Sequence, residues 1–578
     1  MRLEEYWGVG PKTREQLERE LGTERAVEAI ESADVRALVE AGIPRGRATR
    51  ILRRASGGNV DLLATGDARD AYRELLDLAG AHALTRNAAD RIRVLTPLNT
   101  REEMDERLDR VLAARDVWTD LDEGTKEAVV AAFETYDEED GGERAAAHAA
   151  IELVSAGVVE AGGPFEALAD LDPAELEAAA EALAALDGGD VARGVDDRLD
   201  RLRDARAAAD RLATHPGEVI ESVESAGVRG TDAFRDAFVS HVAEETELGP
   251  ARVREAMPQG AADATAFVHE TLTALEVGLR EEAEERAAAV RADLESAVET
   301  AREDLDTAVS AVDEVALDLS LARFAAAYDL QRPEFAADTF AVVDARNLSL
   351  LAGGADVQPI TYALGDHDVE GPPTGDRVAI LTGANSGGKT TLLETLCQVA
   401  LLAQMGLPVP AARAVVSPVD SVVFHRRHAS FNAGVLESTL RSVVPPLTGG
   451  GRTLMLVDEF EAITEPGSAA DLLHGLVTLT VDRGATGVFV THLAEDLEPL
   501  PERGRVDGIF AEGLTPDLEL AVDYQPRFDT LGKSTPEFIV SRLVADATDR
   551  AERAGYEHLV EAVGEEAVQR TLSDVRWN

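Results

Sequence analysis

From residue 56 to about 195 the apolar positions recur three and four apart, the period of amphipathic helices. Short breaks such as Gly141-Gly142 and Gly162-Gly163-Pro164 separate them. The same period continues to about 277, cut by Pro216, Gly217, Pro250 and Pro258. Leu279 to Arg332 then runs 54 residues without a Gly or Pro, a length of about 80 Å if wholly helical. Within it Leu294, Val298, Ala301, Leu305, Ala308, Val312, Val315 and Leu319 alternate spacings of four and three. That is the a/d seam of a coiled-coil-like lever, although one long helix buried in a bundle gives the same pattern. After Pro333 the period changes. Short runs of Val, Ile, Leu and Phe alternate with Gly-rich turns and amphipathic helices, which predicts an α/β domain over 336–545. The tail, 546–578, is helical again. The pattern thus predicts a multidomain protein: an all-α region over 56–335 that ends in the lever, an α/β domain, and a helical tail, with residues 1–55 set apart.

At 578 residues the chain is long enough for three or four domains. It carries 56 basic and 109 acidic side chains, a formal charge of −53, yet 45% of its residues are apolar, too many for a disordered chain. Only four of the basic residues are lysines: Lys12, Lys126, Lys389 and Lys533. An acidic, lysine-poor, alanine-rich chain looks like the proteins of salt-accumulating halophiles, so the charge reads as a solvation adaptation rather than a clue to partners. No run of 18 apolar residues occurs and the start, MRLEEYWGVG, lacks a basic-then-apolar pattern; no membrane span or secretion signal is expected. A single cysteine, Cys397, excludes an internal disulfide and fits a reducing cytoplasm. Residues 1–55 depart from the rest, with 11 basic and 10 acidic side chains.

The chemistry concentrates in the α/β domain. The apolar run Arg377 to Leu381 leads into Thr382-Gly383-Ala384-Asn385-Ser386-Gly387-Gly388-Lys389-Thr390-Thr391 and then an apolar helix. This is G-x-x-x-x-G-K-T in the strand–loop–helix context that a phosphate-binding loop requires. Its glycines let backbone N–H groups approach the phosphates of ATP, Lys389 reaches the β/γ oxygens, and Thr390 can ligate Mg²⁺. About 70 residues on, the apolar strand Thr453 to Val457 ends in Asp458-Glu459. Asp458 is placed to hold the Mg²⁺ and Glu459 to orient the attacking water. A third strand, Gly487 to Val490, ends in Thr491-His492, and His492 either senses the γ-phosphate or is a structural histidine. His425 and His428 lie three apart but without an acidic or cysteine neighbour, so no metal is expected there.

Together these motifs resemble the MutS family of DNA-repair ATPases. The resemblance rests on Thr382, Gly383, Asn385, Gly387, Gly388, Lys389 and Thr391, with Ser386 and Thr390 inside the same loop. Phe424-His425-Arg426-Arg427 resembles the family's F-x-R strand. Ser430-Phe431 with Glu437 and Ser438 resembles the signature loop that reaches a second subunit's nucleotide. Leu317 to Ala322 resembles the motif ending its lever helix. The family's mismatch-reading domain with its Phe-x-Glu wedge has no counterpart before the lever, so discrimination of mispaired bases is not expected. After the acidic pair, Ala462-Ile463-Thr464-Glu465 departs from the family's Gly-Thr turn. The C-terminus is short for the endonuclease domain that some members carry.

Two segments near the start, Gly8 to Leu17 and Gly42 to Ile51, share the order glycine, aliphatic residue, Gly or Pro, then a basic helix-forming stretch. They resemble the paired hairpins of a tandem helix-hairpin-helix DNA-binding domain. Gly8, Gly10 and Gly42 are expected to take positive φ, Val9 and Ile43 to plug inward, and Lys12, Arg14, Arg45, Arg47 and Arg50 to flank a DNA phosphate. A small helical protein-interaction domain is the alternative. The resemblances imply a DNA-binding ATPase, a P-loop domain of the ABC type joined to a lever and clamp. It would use ATP and Mg²⁺, pair as a homodimer through composite sites, act in the cytoplasm, and grip double-stranded or branched DNA in repair or recombination. An SMC-like tether or an ATP-binding scaffold with little turnover is the alternative, although the SMC class separates its two nucleotide motifs by a much longer coil.

Overall fold

Pro11, at the first turn of a helix whose N-cap is Gly10, opens the first of four short helices. These are α1 (Pro11–Glu20), α2 (Thr23–Glu31), α3 (Val35–Glu40) and α4 (Arg45–Ala55). Leu17, Ile30, Leu38, Ile51 and Leu52 close them over one small core, with Val9 and Ile43 buried among them. The computed structural model describes residues 3, 6 and 8–563 apart from 32–33, 56–59, 140, 188, 226–229, 384–387, 428–432, 464–465, 515–519, 533–535 and 548.

Three further helices follow, each starting at a threonine cap that satisfies exposed N–H groups: α5 (Gly66–Gly80), α6 (Arg86–Arg93) and α7 (Arg101–Asp120). The chain divides into two compact units, one of Met1–Lys126, Ala161–Pro164 and Asp313–Asn578, the other of Glu127–Glu160 and Phe165–Val312. These units cut across the four segments predicted from composition, because helices upstream of 335 belong to the same core as the sheets downstream.

The second unit is almost wholly helical. It begins within α8 (Glu123–Glu138) and continues through α9 (Glu143–Ser155) and α10 (Pro173–Ala185) to a two-residue hairpin, β1 (Leu186–Asp187) and β2 (Asp190–Val191). Then come α11 (Asp197–Thr214), α12 (Pro216–Ser225), α13 (Thr231–Thr246), α14 (Pro250–Glu255) and α15 (Ala264–Thr300). Phe238, Val242, Phe267, Leu272 and Leu279 centre its core. The predicted 54-residue lever is two helices. Ala301 leaves helical geometry at φ −91° and ψ 10°, and α16 (Arg302–Ala327) starts anew. The apolar seam survives the break: Val298, Ala301, Leu305, Ala308, Val312, Val315 and Leu319 are all buried. Gly278, which precedes the Gly- and Pro-free run, sits inside α15, where one glycine costs only about 1 kcal/mol.

The first unit holds two sheets. β3 (Glu334–Phe335), β4 (Thr339–Ala345) and β5 (Ile360–Gly365) join a later strand, β7 (Arg413–Val416), in the order β3-β7-β4-β5, with the short helix α17 (Leu348–Ala352) between β4 and β5. The larger sheet is built from β6 (Val378–Gly383), β8 (Ser421–His425), β9 (Thr453–Asp458), β10 (Thr486–Val490), β11 (Gly504–Leu514) and β12 (Leu520–Arg527). Its order is β12-β11-β6-β10-β9-β8, all neighbours parallel except the β11–β12 pair. β6, β8, β9 and β10 read as largely apolar runs because both faces of the sheet are covered there. The helices are α18 (Lys389–Gln404), α19 (Ala433–Thr448) and α20 (Pro466–Asp482), and α21 (Pro536–Asp546) and α22 (Arg550–Val563) form the tail.

Helix α18 is the axis of this unit. Leu393, Leu396, Cys397, Val399, Leu401 and Leu402 are all fully buried, although the helix faces more than one layer. Its buried amides are satisfied by those layers. Gln398 accepts from the Leu348 N–H at 2.9 Å, and Gln404 donates to the Leu98 carbonyl at 3.0 Å while accepting from Val419 N–H at 3.1 Å. The segment before α5 extends the large sheet by one bridge. Leu63 pairs in parallel with Val422 at the β8 edge, and the Thr65 hydroxyl bonds both backbone groups of Phe424.

Candidate functional site

The parallel register brings the ends of three strands level. Val490 lies opposite Asp458 on one side and Leu381 on the other, so the last residues of β6, β9 and β10 open at one edge. After β6 the chain runs to strands on one side and then returns to β11 on the other. A crevice beyond the carboxyl ends of such strands is where open α/β sheets hold ligands. Here it is a cavity of about 510 Å³. Gly388, Lys389, Thr390 and Glu459 line its polar end, and Leu350, Val357, Ile360, Leu392 and Tyr524 supply apolar surface.

Helix α18 starts in this cavity. Gly388 takes φ +78°, and Lys389, which is 6% exposed, donates through Nζ to the Gly383 carbonyl at 3.0 Å. At the next residue, the Thr390 hydroxyl donates to Asp458 Oδ2 at 2.5 Å. A hydroxyl beside a carboxylate is the hard oxygen set that Mg²⁺ selects. The neighbouring Glu459 takes φ +43°, a left-handed conformation that costs free energy in a non-glycine residue and marks a constrained site. Its N–H is held by the Val490 carbonyl at 3.0 Å. Its carboxylate is shared: Oε1 lies 3.2 Å from His492 Nε2 and Oε2 lies 2.9 Å from Arg427 Nη1. His492 is fixed from behind, since Glu461 accepts from the His492 N–H at 2.7 Å and the Thr491 hydroxyl at 2.8 Å.

Burial sets the electrostatics. It lowers the Lys389 ammonium from its ordinary value, against the attraction of Glu459 and Asp458. It also raises the Asp458 carboxyl, helped by the Glu459 charge and opposed by the Thr390 hydrogen bond. An acid raised in this way lends stability below its unfolded pKa and loses that contribution as pH rises through the folded value. At neutral pH the buried carboxylate is therefore a cost to stability. Asp458→Asn is expected to be more stable than the wild type by about 1 kcal/mol at neutral pH, and so to unfold at a higher temperature, with the gap narrowing in acid. Thermal melts at pH 7 and pH 4 without added metal check this; an unchanged or lower midpoint at pH 7 contradicts it.

Of the residues singled out from sequence, Gly383, Gly388, Lys389, Thr390, Thr391, Asp458, Glu459 and His492 come together at this edge. Asn385, Ser386, Gly387 and Ser430 lie outside the described residues, as do His428 and Thr464-Glu465. His425 faces helix α5, its Nδ1 3.6 Å from Asp67. Three participants were not assigned a role from sequence: Arg427, Glu461 and Tyr524. Arg427 follows the F-x-R strand and reaches Glu459 only because β8 pairs with β9. Tyr524 lies over the start of α18, and a Cβ at Gly388 would meet its ring at 2.6 Å.

In the N-terminal helices Gly8 and Gly42 take positive φ, +85° and +83°. Gly10 does not: it is extended, φ −78°, because it serves as the N-cap of α1. The two glycine segments face each other reciprocally. A Cβ at Gly8 would sit 3.1 Å from Ile51 and one at Gly42 2.5 Å from the Gln16 amide. Three of the basic side chains read as phosphate contacts have partners within the chain. Arg47 donates to the Gly8 carbonyl at 3.2 Å, and Arg45 forms an ion pair with Asp90 of α6. Arg14 lies 3.6 Å from Glu18 on its own helix, and Lys12 stands in the first turn of α1.

The family model for MutS domain V matches residues 379–445, the stretch from β6 into α19. Over 217 residues the chain is 43% identical to a protein of Pyrococcus furiosus named DNA-binding protein MutS2, covering 37% of this chain and 38% of that one. It is 28% identical over 346 residues to the DNA mismatch repair protein MutS of Granulibacter bethesdensis, covering 57% and 35%. It is 31% identical over 229 residues to the endonuclease MutS2 of Thermomicrobium roseum, covering 36% and 26%. The matched stretches span little more than a third of these relatives at most. The end of β6 and the whole of α18 lie within the stretch that matches MutS domain V. The likeness is thus to the MutS family, through its domain V over residues 379–445 and through relatives of which two bear the name MutS2.

Proposed function

We propose that this protein binds and hydrolyses ATP with Mg²⁺ at the β6–α18 cavity and uses that cycle to control its hold on DNA as a homodimer. The observation that supports this most is the convergence of Lys389, the Thr390–Asp458 pair and the Glu459–His492 pair on one cavity. The apolar surface near Tyr524 suits the base, and the start of α18 suits the phosphates, with the backbone of Asn385, Ser386 and Gly387 as the remaining cradle. Thr390 and Asp458 would hold Mg²⁺, which would supply charge neutralisation at the phosphate oxygens. Lys389 places its ammonium against the transferred group. Glu459 takes up the hydrogen bond of the attacking water, and His492 and Arg427 hold that carboxylate in place. Water attacks the γ-phosphorus, the bond to the bridging oxygen breaks, and ADP and phosphate leave.

DNA as partner is supported by the naming of the Pyrococcus relative and by the reciprocal glycine turns of residues 1–55, read as a tandem helix-hairpin-helix domain. We read the helical second unit as the arm of a clamp on duplex or branched DNA in repair or recombination. A DNA partner places the protein in the cytoplasm, and among the described residues no helix is long and apolar enough to cross a membrane.

A signature loop at Ser430 has a use only if a second subunit offers a phosphate loop to face it, and two-fold pairing creates two such sites. Ser430→Arg and Lys389→Ala subunits should each be inactive alone. Mixed, they form heterodimers that keep one intact composite site. Recovery of ATP hydrolysis on mixing is the expected result; no recovery, with light scattering of a monomer in ATP, overturns the dimeric reading.

A further inference from the structure

The outward side of α4 is almost entirely arginine. Ala48, Ile51 and Leu52 face the core, while Arg45, Arg47, Arg50, Arg53 and Arg54 occupy the remaining turns with only Gly46, Thr49 and Ala55 between them. The helix carries no acid. Against a formal charge of −53 for the chain, such a helix stands out.

Helix α6, outside the paired hairpins, adjoins it and carries the same sign. Its eight residues hold Arg86, Arg91 and Arg93 against one acid, Asp90. Asp90 is 7% exposed and is shared by two guanidinium groups, that of Arg45 from α4 and that of Arg93 at 3.0 Å. The join is reinforced elsewhere. Arg53 donates to the Arg93 carbonyl at 2.6 Å and stacks over Tyr72 of α5, and Val94 is buried in the core of the N-terminal helices. Arg91 turns the other way, donating to the Asp313 carbonyl and pairing with Glu314. Arg86 and Arg93 remain outward, with half of the Arg93 side chain exposed. One neutralised carboxylate thus leaves two exposed guanidinium groups and a surplus of positive charge at the seam. Arg47, tied to the Gly8 carbonyl, continues the surface back to the first glycine turn.

We infer that α4 and α6 form one continuous surface for the phosphate backbone of DNA, wider than the hairpin pair, with Asp90 as the positioning residue that holds the two helices in register. This rests on the DNA reading above and extends it to residues that no hairpin motif includes. Guanidinium groups take phosphate oxygens through two N–H donors at once, and such contacts carry affinity without reading sequence. Arg45 is then chiefly a strut, while Arg50, Arg86 and Arg93 are the side chains offered to phosphate.

The test is binding of the full-length protein to a fluorescent duplex over a range of KCl. It compares wild type with Arg86→Gln/Arg93→Gln and with Arg50→Gln, each checked for an unchanged melting temperature. Each lost phosphate contact is expected to make the slope of log K against log[salt] shallower by about one and to weaken binding several-fold on every DNA structure alike. As a measurement without substitutions, phenylglyoxal labelling of the wild type is expected to show Arg50 and Arg93 protected when DNA is bound. If wild type binds DNA but the α6 variant keeps the same affinity and slope, or Arg93 labels equally with DNA present, the α6 surface is overturned and the DNA reading stands. If wild type binds no DNA, both fall together.

Discussion

Glu459→Gln is expected to lower ATP turnover by at least about a hundredfold while leaving ATP binding within a few-fold of wild type. The substitution keeps the side chain's shape and its reach to His492 and Arg427 but removes the charge that accepts a proton from the attacking water. Positioned acid–base groups contribute rate factors of about 10² to 10⁴. In the proposed site the phosphates are met instead by Lys389 and the start of α18, which the substitution does not touch. Lys389→Ala is expected to fail earlier, at binding. Phosphate release and a fluorescent-nucleotide titration separate the two, and equal turnover in wild type and Glu459→Gln contradicts the assignment of Glu459.

Gly383→Ala is expected to cost more than about 3 kcal/mol of stability. Gly383 ends β6 at φ +133°, where a side chain is strained whatever the space. The space is also absent, for a Cβ there would lie 2.2 Å from the Ile509 carbonyl oxygen of β11. That neighbour is backbone in the same parallel ladder, so relief requires the two strands to part beside the cavity. At Gly388 the clash is instead with the Tyr524 ring, which can swing aside. Gly388→Ala should therefore melt closer to wild type than Gly383→Ala. The reverse order in thermal melts contradicts this reading.

The loop that begins α18 was legible in the sequence because its signal is local. A strand, a glycine turn, Lys389 and an apolar helix follow one another directly, and Asp458-Glu459 and Thr491-His492 each end an apolar run. Arg427 and Tyr524 were not legible as participants. Each reaches the cavity through pairing between strands, β8 against β9 and β12 against β11. The two compact units do not follow the change in sequence pattern, for a related reason. Composition changes at Pro333, but packing does not: Leu62, Tyr72, Met104, Leu108 and Phe324 share a core with Leu381 and Leu396. The break at Ala301 has neither Pro nor Gly to announce it, and buried seam residues on both sides hide it from a periodicity reading. Gly8 and Gly42 took the turns expected of them, whereas Gly10 did not, since a helix N-cap needs an extended backbone.

Whether the β6–α18 edge turns over ATP is decided by phosphate release from Mg²⁺-ATP by the purified full-length protein, beside Lys389→Ala under the same conditions. The wild type is expected to release phosphate catalytically and to lose that release when the metal is chelated, and Lys389→Ala to release none above background. Equal phosphate release by the two proteins, or release indifferent to chelator, would contradict it.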